Sequence, residues 1–375
     1  MTRSGILDTA GSTRAGLIEQ VEIQDFSSIR WAWAGRHLCA ESPELKYRLL
    51  LDYSSPQVAD VAVFRVEKVG YHHHIETEQE RRLRLYAGDM LIAVFGNRYA
   101  TDVYEGRVLE LDHLHLLTAS GLVGTVLSRH RDVGRPTTVS FLGYLADTSG
   151  TRINLKQLRF QPVLGGASSL EVVLVVGTGM NTGKTTVTRK ILRALAARGV
   201  HAAGCKLTGS ASPRDLYEMR ATGAVLATDF SDYGFPSTYG ASLEELIGLL
   251  DTMTDACGRA GADVVVVEIA DGFLQPETQM LLESDEIRRR VRGVVAAGAC
   301  SSSLLFATEF LQKAGLEVWA ASGLATNSPL FVREFSARSS VPVASSRGGG
   351  AQLARIVMEN TVPAQVNSQV ASQAK

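Results

Sequence analysis

The chain has 375 residues, enough for two or three domains that each bury a core. Its formal net charge of −1 excludes a general nucleic-acid binder, which needs a basic field, and its 45% apolar content is ordinary for a globular protein. No apolar run reaches the roughly 18 residues of a membrane span. The opening Met1-Thr2-Arg3-Ser4-Gly5 lacks the layout of a signal peptide. Cys39, Cys205, Cys257 and Cys300 are scattered without metal-type spacing and read as reduced thiols, so a cytoplasmic location is expected.

Residues 1–20 are small and polar and read as a flexible N-terminus. Residues 21–165 carry short apolar segments broken by turn signals, among them Val61-Ala62-Val63-Phe64-Arg65-Val66 and Met90-Leu91-Ile92-Ala93-Val94-Phe95. That spacing predicts a smaller β-rich domain, a barrel or a sandwich, whose role no residue compels. Within it, Tyr71-His72-His73-His74 invites a metal reading. Only His72 and His74 share a strand face, and no partner ligand is placed, so a polar strand end is the expectation.

After a linker rich in Gly and Ser near 161–169, the rhythm becomes strand, helix, strand. Strands are expected at 171–176, 200–206, 224–228, 263–268, 292–297, 316–321 and 341–344. Helices are expected at 184–198, 213–222, 241–260, 275–290, 301–314, 328–338 and 350–360. Continuous apolar runs such as Val264-Val265-Val266-Val267 mark a parallel sheet covered on both faces. Residues 171–360 therefore predict a doubly wound, mostly parallel α/β domain, with ligands beyond the C-terminal strand ends. Residues 361–375 read as a disordered tail.

The first of those strands runs into Gly177-Thr178-Gly179-Met180-Asn181-Thr182-Gly183-Lys184-Thr185-Thr186. A buried strand, a Gly-rich turn and a helix N-terminus form a phosphate cradle, in which backbone N–H groups and the helix dipole hold anionic oxygens. Lys184 would reach the β- and γ-phosphates, and the Thr185 hydroxyl would ligate Mg²⁺. Thr178 stands where the usual spacing has glycine, so the loop is a longer variant.

Two further strand ends carry chemistry. Lys206, with Ser210 just beyond it, follows Lys184 by one strand–helix–strand step and either neutralises a γ-phosphate and aligns a substrate, or is a solvated strand-end lysine. Asp215 either opens the next helix, where the dipole favours an acid, or faces Mg²⁺. Glu268, after four valines, is the first candidate for the metal, with Asp271 next. Asn327, in Thr326-Asn327-Ser328-Pro329, either reads the nucleotide base or caps a helix.

These stretches resemble the dethiobiotin synthetase and cobyrinic acid amide synthase group of P-loop proteins. Gly177 to Thr185 match that group's Gly-Thr-x-x-x-x-Gly-Lys-Thr; Lys206 with Thr208-Gly209-Ser210 is similar to its second-strand lysine; Asp215 and Glu268 match its following acids. The resemblance covers roughly 171–345. It implies ATP and Mg²⁺, phosphorylation of a small-molecule carboxylate or carbamate for capture by a nucleophile, and a homodimer. Leu207 replaces that group's proline, and Ile269 and Asp271 replace its glycine-containing positions, so the resemblance carries the nucleotide and metal roles and not the substrate.

Asp215-Leu216-Tyr217-Glu218-Met219-Arg220-Ala221-Thr222-Gly223-Ala224 also resembles a segment of the molybdopterin guanine-dinucleotide adaptor protein, which implies GTP and a non-enzymatic role. The chain has no Asn-Lys-x-Asp run, and position 179 is Gly where the chromosome-partitioning ATPases have lysine. The sequence thus predicts a ligase-like ATP- and Mg²⁺-dependent enzyme without nucleic-acid or membrane partners. A nucleotide-binding adaptor and a small-metabolite kinase are the alternatives.

Overall fold

The computed structural model describes residues 19–21, 26–39, 46–79, 81–163 and 170–361. The expected flexible start and disordered tail lie almost wholly outside them. The chain divides into two compact units: residues 1–160 with 210–213 and 231–237, and residues 161–209, 214–230 and 238–375.

The first unit is β-rich. Its main sheet contains β1 (Glu19–Val21), β2 (Ile29–Trp31), β3 (Tyr47–Leu51), β4 (Val61–Lys68) and β7 (Met90–Phe95). The same sheet takes in β8 (Arg98–Tyr99), β9 (Tyr104–Arg107), β10 (His115–Leu116), β11 (Leu122–Arg129) and β12 (Thr137–Asp147). A separate hairpin pairs β5 (His74–Glu76) with β6 (Arg82–Arg84). Strands β12, β4, β7 and β11 are consecutive neighbours, and β10 pairs with both β11 and β12. The path closes on itself, which decides the expected barrel-or-sandwich choice in favour of a barrel.

Its filling follows the pleat. Ala62, Phe64 and Val66 on β4 and Leu91, Ala93 and Phe95 on β7 share one core, at the period of two that puts alternate residues on one face. On β12 the core positions pass from Val139 to Tyr144 and Ala146, a change of parity across the register shift between Phe141 and Gly143. A bulge of this kind turns a strand over without breaking the sheet. His72 lies 3.0 Å from Arg98 Nη1, its ring against Tyr71 and Tyr104. Burial, then Arg98, pushes its pKa down to about 3. It is a packed neutral imidazole, and among the described residues no group of three or more His, Cys, Asp or Glu is placed to hold a metal ion.

The second unit carries a six-stranded sheet in the order β15 (Ala227–Asp229), β14 (Ala202–Lys206), β16 (Val264–Glu268), β13 (Glu171–Gly177), β17 (Val291–Ala297), β18 (Val318–Ser322), with every pair parallel. Val172 to Val176 and Val264 to Val267 are buried throughout, as strands covered on both faces must be. Around the sheet lie α2 (Lys184–Ala196), α3 (Pro213–Arg220), α4 (Leu243–Arg259), α5 (Pro276–Glu283), α6 (Asp285–Arg290), α7 (Ser301–Lys313), α8 (Pro329–Ser336) and α9 (Gly350–Thr361). Helix α1 (Leu155–Arg159) belongs to the first unit. In α2 the inward stripe is Val187, Ile191, Leu192 and Leu195, spaced for one helical face.

Two expectations are corrected. The single helix over 275–290 is two, because Ser284 is extended (φ −79°, ψ 144°) and its hydroxyl caps Ile287 N–H. The seventh strand at 341–344 reduces to one isolated parallel bridge, Ala321 to Val343. Among the described residues no helix is long and apolar enough to cross a membrane.

Candidate nucleotide site

The cradle forms where β13 ends. A Cβ at Gly177 would lie 2.4 Å from Thr182 Oγ1, so only glycine lets the loop fold back over the strand. Asn181 (φ 57°) and Gly183 (φ 96°) take left-handed conformations that swing the loop into α2. Thr182 Oγ1 donates to Gly179 O at 3.1 Å, and Leu324 N–H donates to Thr182 O at 3.0 Å, bracing the loop from the β18 side. Thr178, Met180 and Thr186 are half-buried around it.

Lys184 opens α2 and is buried. Its ammonium donates to Gly179 O at 2.7 Å and to Asp271 O at 2.9 Å. Burial pushes its pKa down, against the pull of Glu268 and Asp271. A buried cation held only by neutral carbonyls is a ready receptor for phosphate oxygens. The backbone of Asp271 (φ 62°) reaches the cradle because Gly272 follows it: a Cβ there would lie 2.5 Å from Thr178 O.

Beside the lysine, Thr185 Oγ1 donates to Glu268 Oε1 at 2.9 Å. Glu268 is buried, and its Oε2 has no hydrogen-bond partner among the described residues. Burial raises its pKa, with Lys206 the main opposing charge. An uncompensated carboxylate oxygen next to a threonine hydroxyl is the donor set that suits Mg²⁺, which takes one or two protein oxygens and fills its octahedron from phosphates and water. The residues present therefore fit this cation.

The parallel register sets Lys206 opposite Glu268 on one side and Asp229 on the other. Burial opposes its charge, but Asp215 and then Glu268 hold the ammonium above its ordinary range. Asp215, in the first turn of α3, makes an ion pair with Lys206, which holds its carboxyl below the usual range against the effect of burial. Lys206 is thus no solvated strand-end lysine, and Asp215 is engaged by a lysine.

Lys184, Thr185, Lys206, Asp215, Glu268 and the Asp271 backbone are brought together. Ser210 follows Gly209, where a Cβ would lie 3.7 Å from Lys206 Nζ, and its backbone forms an isolated bridge with Ser237. Asn327 ends a short 3₁₀ turn, Leu324–Asn327, while Ser328 caps α8 through Phe331 N–H. The capping role expected as an alternative for Asn327 belongs to its neighbour. Asn327 Oδ1 instead accepts from Ser346 Oγ at 3.3 Å.

Sequence reasoning missed two acids. Asp229 is buried, and its charge acts on Lys206. Glu277 is buried in the first turn of α5; its Oε1 accepts from Gly240 N–H at 2.5 Å, and its Oε2 has no hydrogen-bond partner among the described residues. The only signal for Glu277 was its place just after Gln275-Pro276, a helix start that favours an acid anyway.

A buried parallel strand, a glycine loop and a buried helix-opening lysine give the second unit the P-loop form of a mostly parallel α/β domain. No family model and no curated protein matches the chain. Among solved structures it is similar to the Signal Recognition Particle 54 kDa protein from Aeropyrum pernix in complex with GDP, at 16% identity, covering 59% of this chain and 54% of that one, with a TM-score of 0.36. It is also similar to the signal recognition particle receptor FtsY from Elizabethkingia anophelis, at 15% identity, covering 56% and 65%, with a TM-score of 0.32. A DUF1611 family protein from Anabaena variabilis is similar at 14% identity, covering 53% and 63%, with a TM-score of 0.38. The chain thus spans between 54% and 65% of the length of these three structures.

Proposed function

We propose that the second unit is an ATP- and Mg²⁺-dependent enzyme that phosphorylates the carboxylate or carbamate of a small molecule. The observation that carries this reading is the pairing of two buried lysines, Lys184 and Lys206, around Glu268. A nucleotide-holding protein needs the first lysine; a second one, buried and kept charged, suits charge neutralisation in phosphoryl transfer.

In this reading Lys184 exchanges the Gly179 and Asp271 carbonyls for β- and γ-phosphate oxygens. Thr185 and Glu268 hold Mg²⁺, which when bound neutralises triphosphate charge. Lys206, steadied by Asp215, holds the substrate anion in line with the γ-phosphorus. One oxygen of the anion forms the new P–O bond while the bond to ADP breaks and its electrons leave with ADP. The acyl or carbamoyl phosphate is then attacked by a nucleophile at carbon, which releases inorganic phosphate. Catalysis is mainly alignment and charge neutralisation. Asn327 is assigned to the nucleotide base in this reading, and the homodimer implied by the resemblance is checked by light scattering.

The ion pair between Lys206 and Asp215 favours a second reading, a nucleotide-binding adaptor, because a lysine already neutralised has less to offer a substrate. Phosphate release from ATP and from GTP, with and without panels of carboxylic acids and amines, separates the two. The enzyme reading expects release with ATP that depends on an acid and an amine. Slow release indifferent to every metabolite, together with tighter GTP binding in calorimetry, would overturn it.

A further inference from the structure

Away from the cradle, the second half of α2 and the chain entering α9 line a shallow, open cleft of about 320 Å³. Its charged lining is Lys190, Arg193, Arg198 and Arg347; no acid lines it. Among the described residues none of the four joins an ion pair: Lys190 donates to Ser346 O, and Arg198 donates to Ala194 O at 2.8 Å. Arg193 and Arg198 stand near the C-terminal end of α2, where the helix dipole welcomes cations. That accounts for two of the charges, and not for Lys190 in mid-helix or Arg347 in the loop.

The other wall is nearly free of side chains. Among the described residues a Cβ at Gly348 would meet nothing within 4 Å; the Arg347 and Gly348 N–H groups donate to Ser345 Oγ, and the amides without intrahelical acceptors at the cleft are those of Gly350 and Ala351, where α9 begins. Four cations lining one cleft with no acid among them repel one another until an anion shares them. The volume suits a small molecule.

We propose that this cleft binds a small phosphate-bearing anion and that its occupancy tunes the nucleotide site. The coupling runs through Ser346. Its carbonyl accepts from Lys190, its N–H donates to Thr326 Oγ1 at 2.7 Å, and its hydroxyl reaches Asn327. An anion that draws Lys190 and Arg347 together shifts the segment on which Asn327 rests. The coupling rests on the nucleotide reading above; the anion site does not.

Pyrophosphate is the probe, titrated calorimetrically into the Lys184→Ala chain so that the cradle does not register. Binding is expected there, weakened about tenfold by each of Arg193→Ala and Arg347→Ala. Binding that vanishes with Lys184→Ala alone, or that ignores both arginine changes, overturns the site. A short single-stranded oligonucleotide that binds more tightly than pyrophosphate overturns the small-ligand assignment.

For the coupling, ATP affinity is measured against rising inorganic phosphate in the natural chain and in the Arg193→Ala/Arg347→Ala chain. Competition at the cradle is common to both. A several-fold difference between the two responses supports the coupling, and identical responses overturn it.

Discussion

Asp60 in the first unit and Glu268 in the second are both buried acids, and they are treated in opposite ways. In the first, Asp60 Oδ2 accepts from Arg152 and from Gln57 N–H, both at 2.9 Å, and Oδ1 accepts from Asn154 at 2.9 Å. Arg152 also pairs with Asp52 at 2.6 Å and lies over the Tyr144 ring. In the second unit Glu268 has one hydroxyl donor and an oxygen left over. A fully satisfied carboxylate fixes structure, whereas a half-satisfied one stores a cost that a bound cation removes. Asp60 is spent on holding its own unit together; Glu268 keeps an oxygen in reserve.

The contrast breaks most visibly at Asp60. Asp60→Ala takes one of its two carboxylate partners from Arg152 and one of its two acceptors from Asn154, and should cost about 3 kcal/mol in urea denaturation, in line with the loss of one partner of a buried pair. A loss under about 1 kcal/mol would mean that the network does not hold the barrel. Lys184→Ala comes next: nucleotide affinity by calorimetry should fall roughly 100-fold, the loss of charge-assisted hydrogen bonds. Tight binding retained would remove the cradle assignment.

Glu268→Gln sharpens the contrast through its sign. A carboxyl whose folded pKa is raised binds protons more tightly when folded, so its contribution falls as pH rises from the ordinary 4.5 through the folded value. The amide escapes that penalty. The variant should match or exceed the natural chain in stability at neutral pH, by up to about 1 kcal/mol, and lose the advantage below the unfolded pKa. Asp215, with its pKa lowered, contributes in the opposite direction, adding stability above its ordinary 3.8 that is lost as pH falls through the folded value. Urea denaturation of Glu268→Gln across pH 4–8 tests the sign; a variant less stable than the natural chain at neutral pH contradicts it. The smallest effect is Asn327→Ala, expected to shift the ratio of ATP to GTP affinity only a few-fold, the worth of about one hydrogen bond. An unchanged ratio removes Asn327 from base reading.

The cradle and its sheet were legible because their signals are local: a glycine spacing, a continuous valine run, an acid at a strand end. The partners of Lys206 were legible only in part. Asp215 lies nine residues away and shows in the sequence, but Asp229 meets the lysine through parallel register across two strands. The break at Ser284 carries no glycine or proline, and only its Ser-Asp-Glu start, a helix-opening signature, marks it. The seventh strand failed because Val341-Pro342-Val343 includes a proline, which cannot donate to a ladder and leaves one bridge. Barrel closure was illegible for a related reason: the strand that achieves it is only two residues long, His115 and Leu116.

That short strand has a further consequence. In the closed path from β12 through β4, β7, β11 and β10, every strand has a neighbour on each side, which removes most of the free hydrogen-bonding edge among the described residues. The seal depends on two residues whose backbone must pair on both sides at once. Their amides should exchange with solvent in step with the sheet edges beside them, and a proline at either position would turn a sealed ring into an open template for self-association.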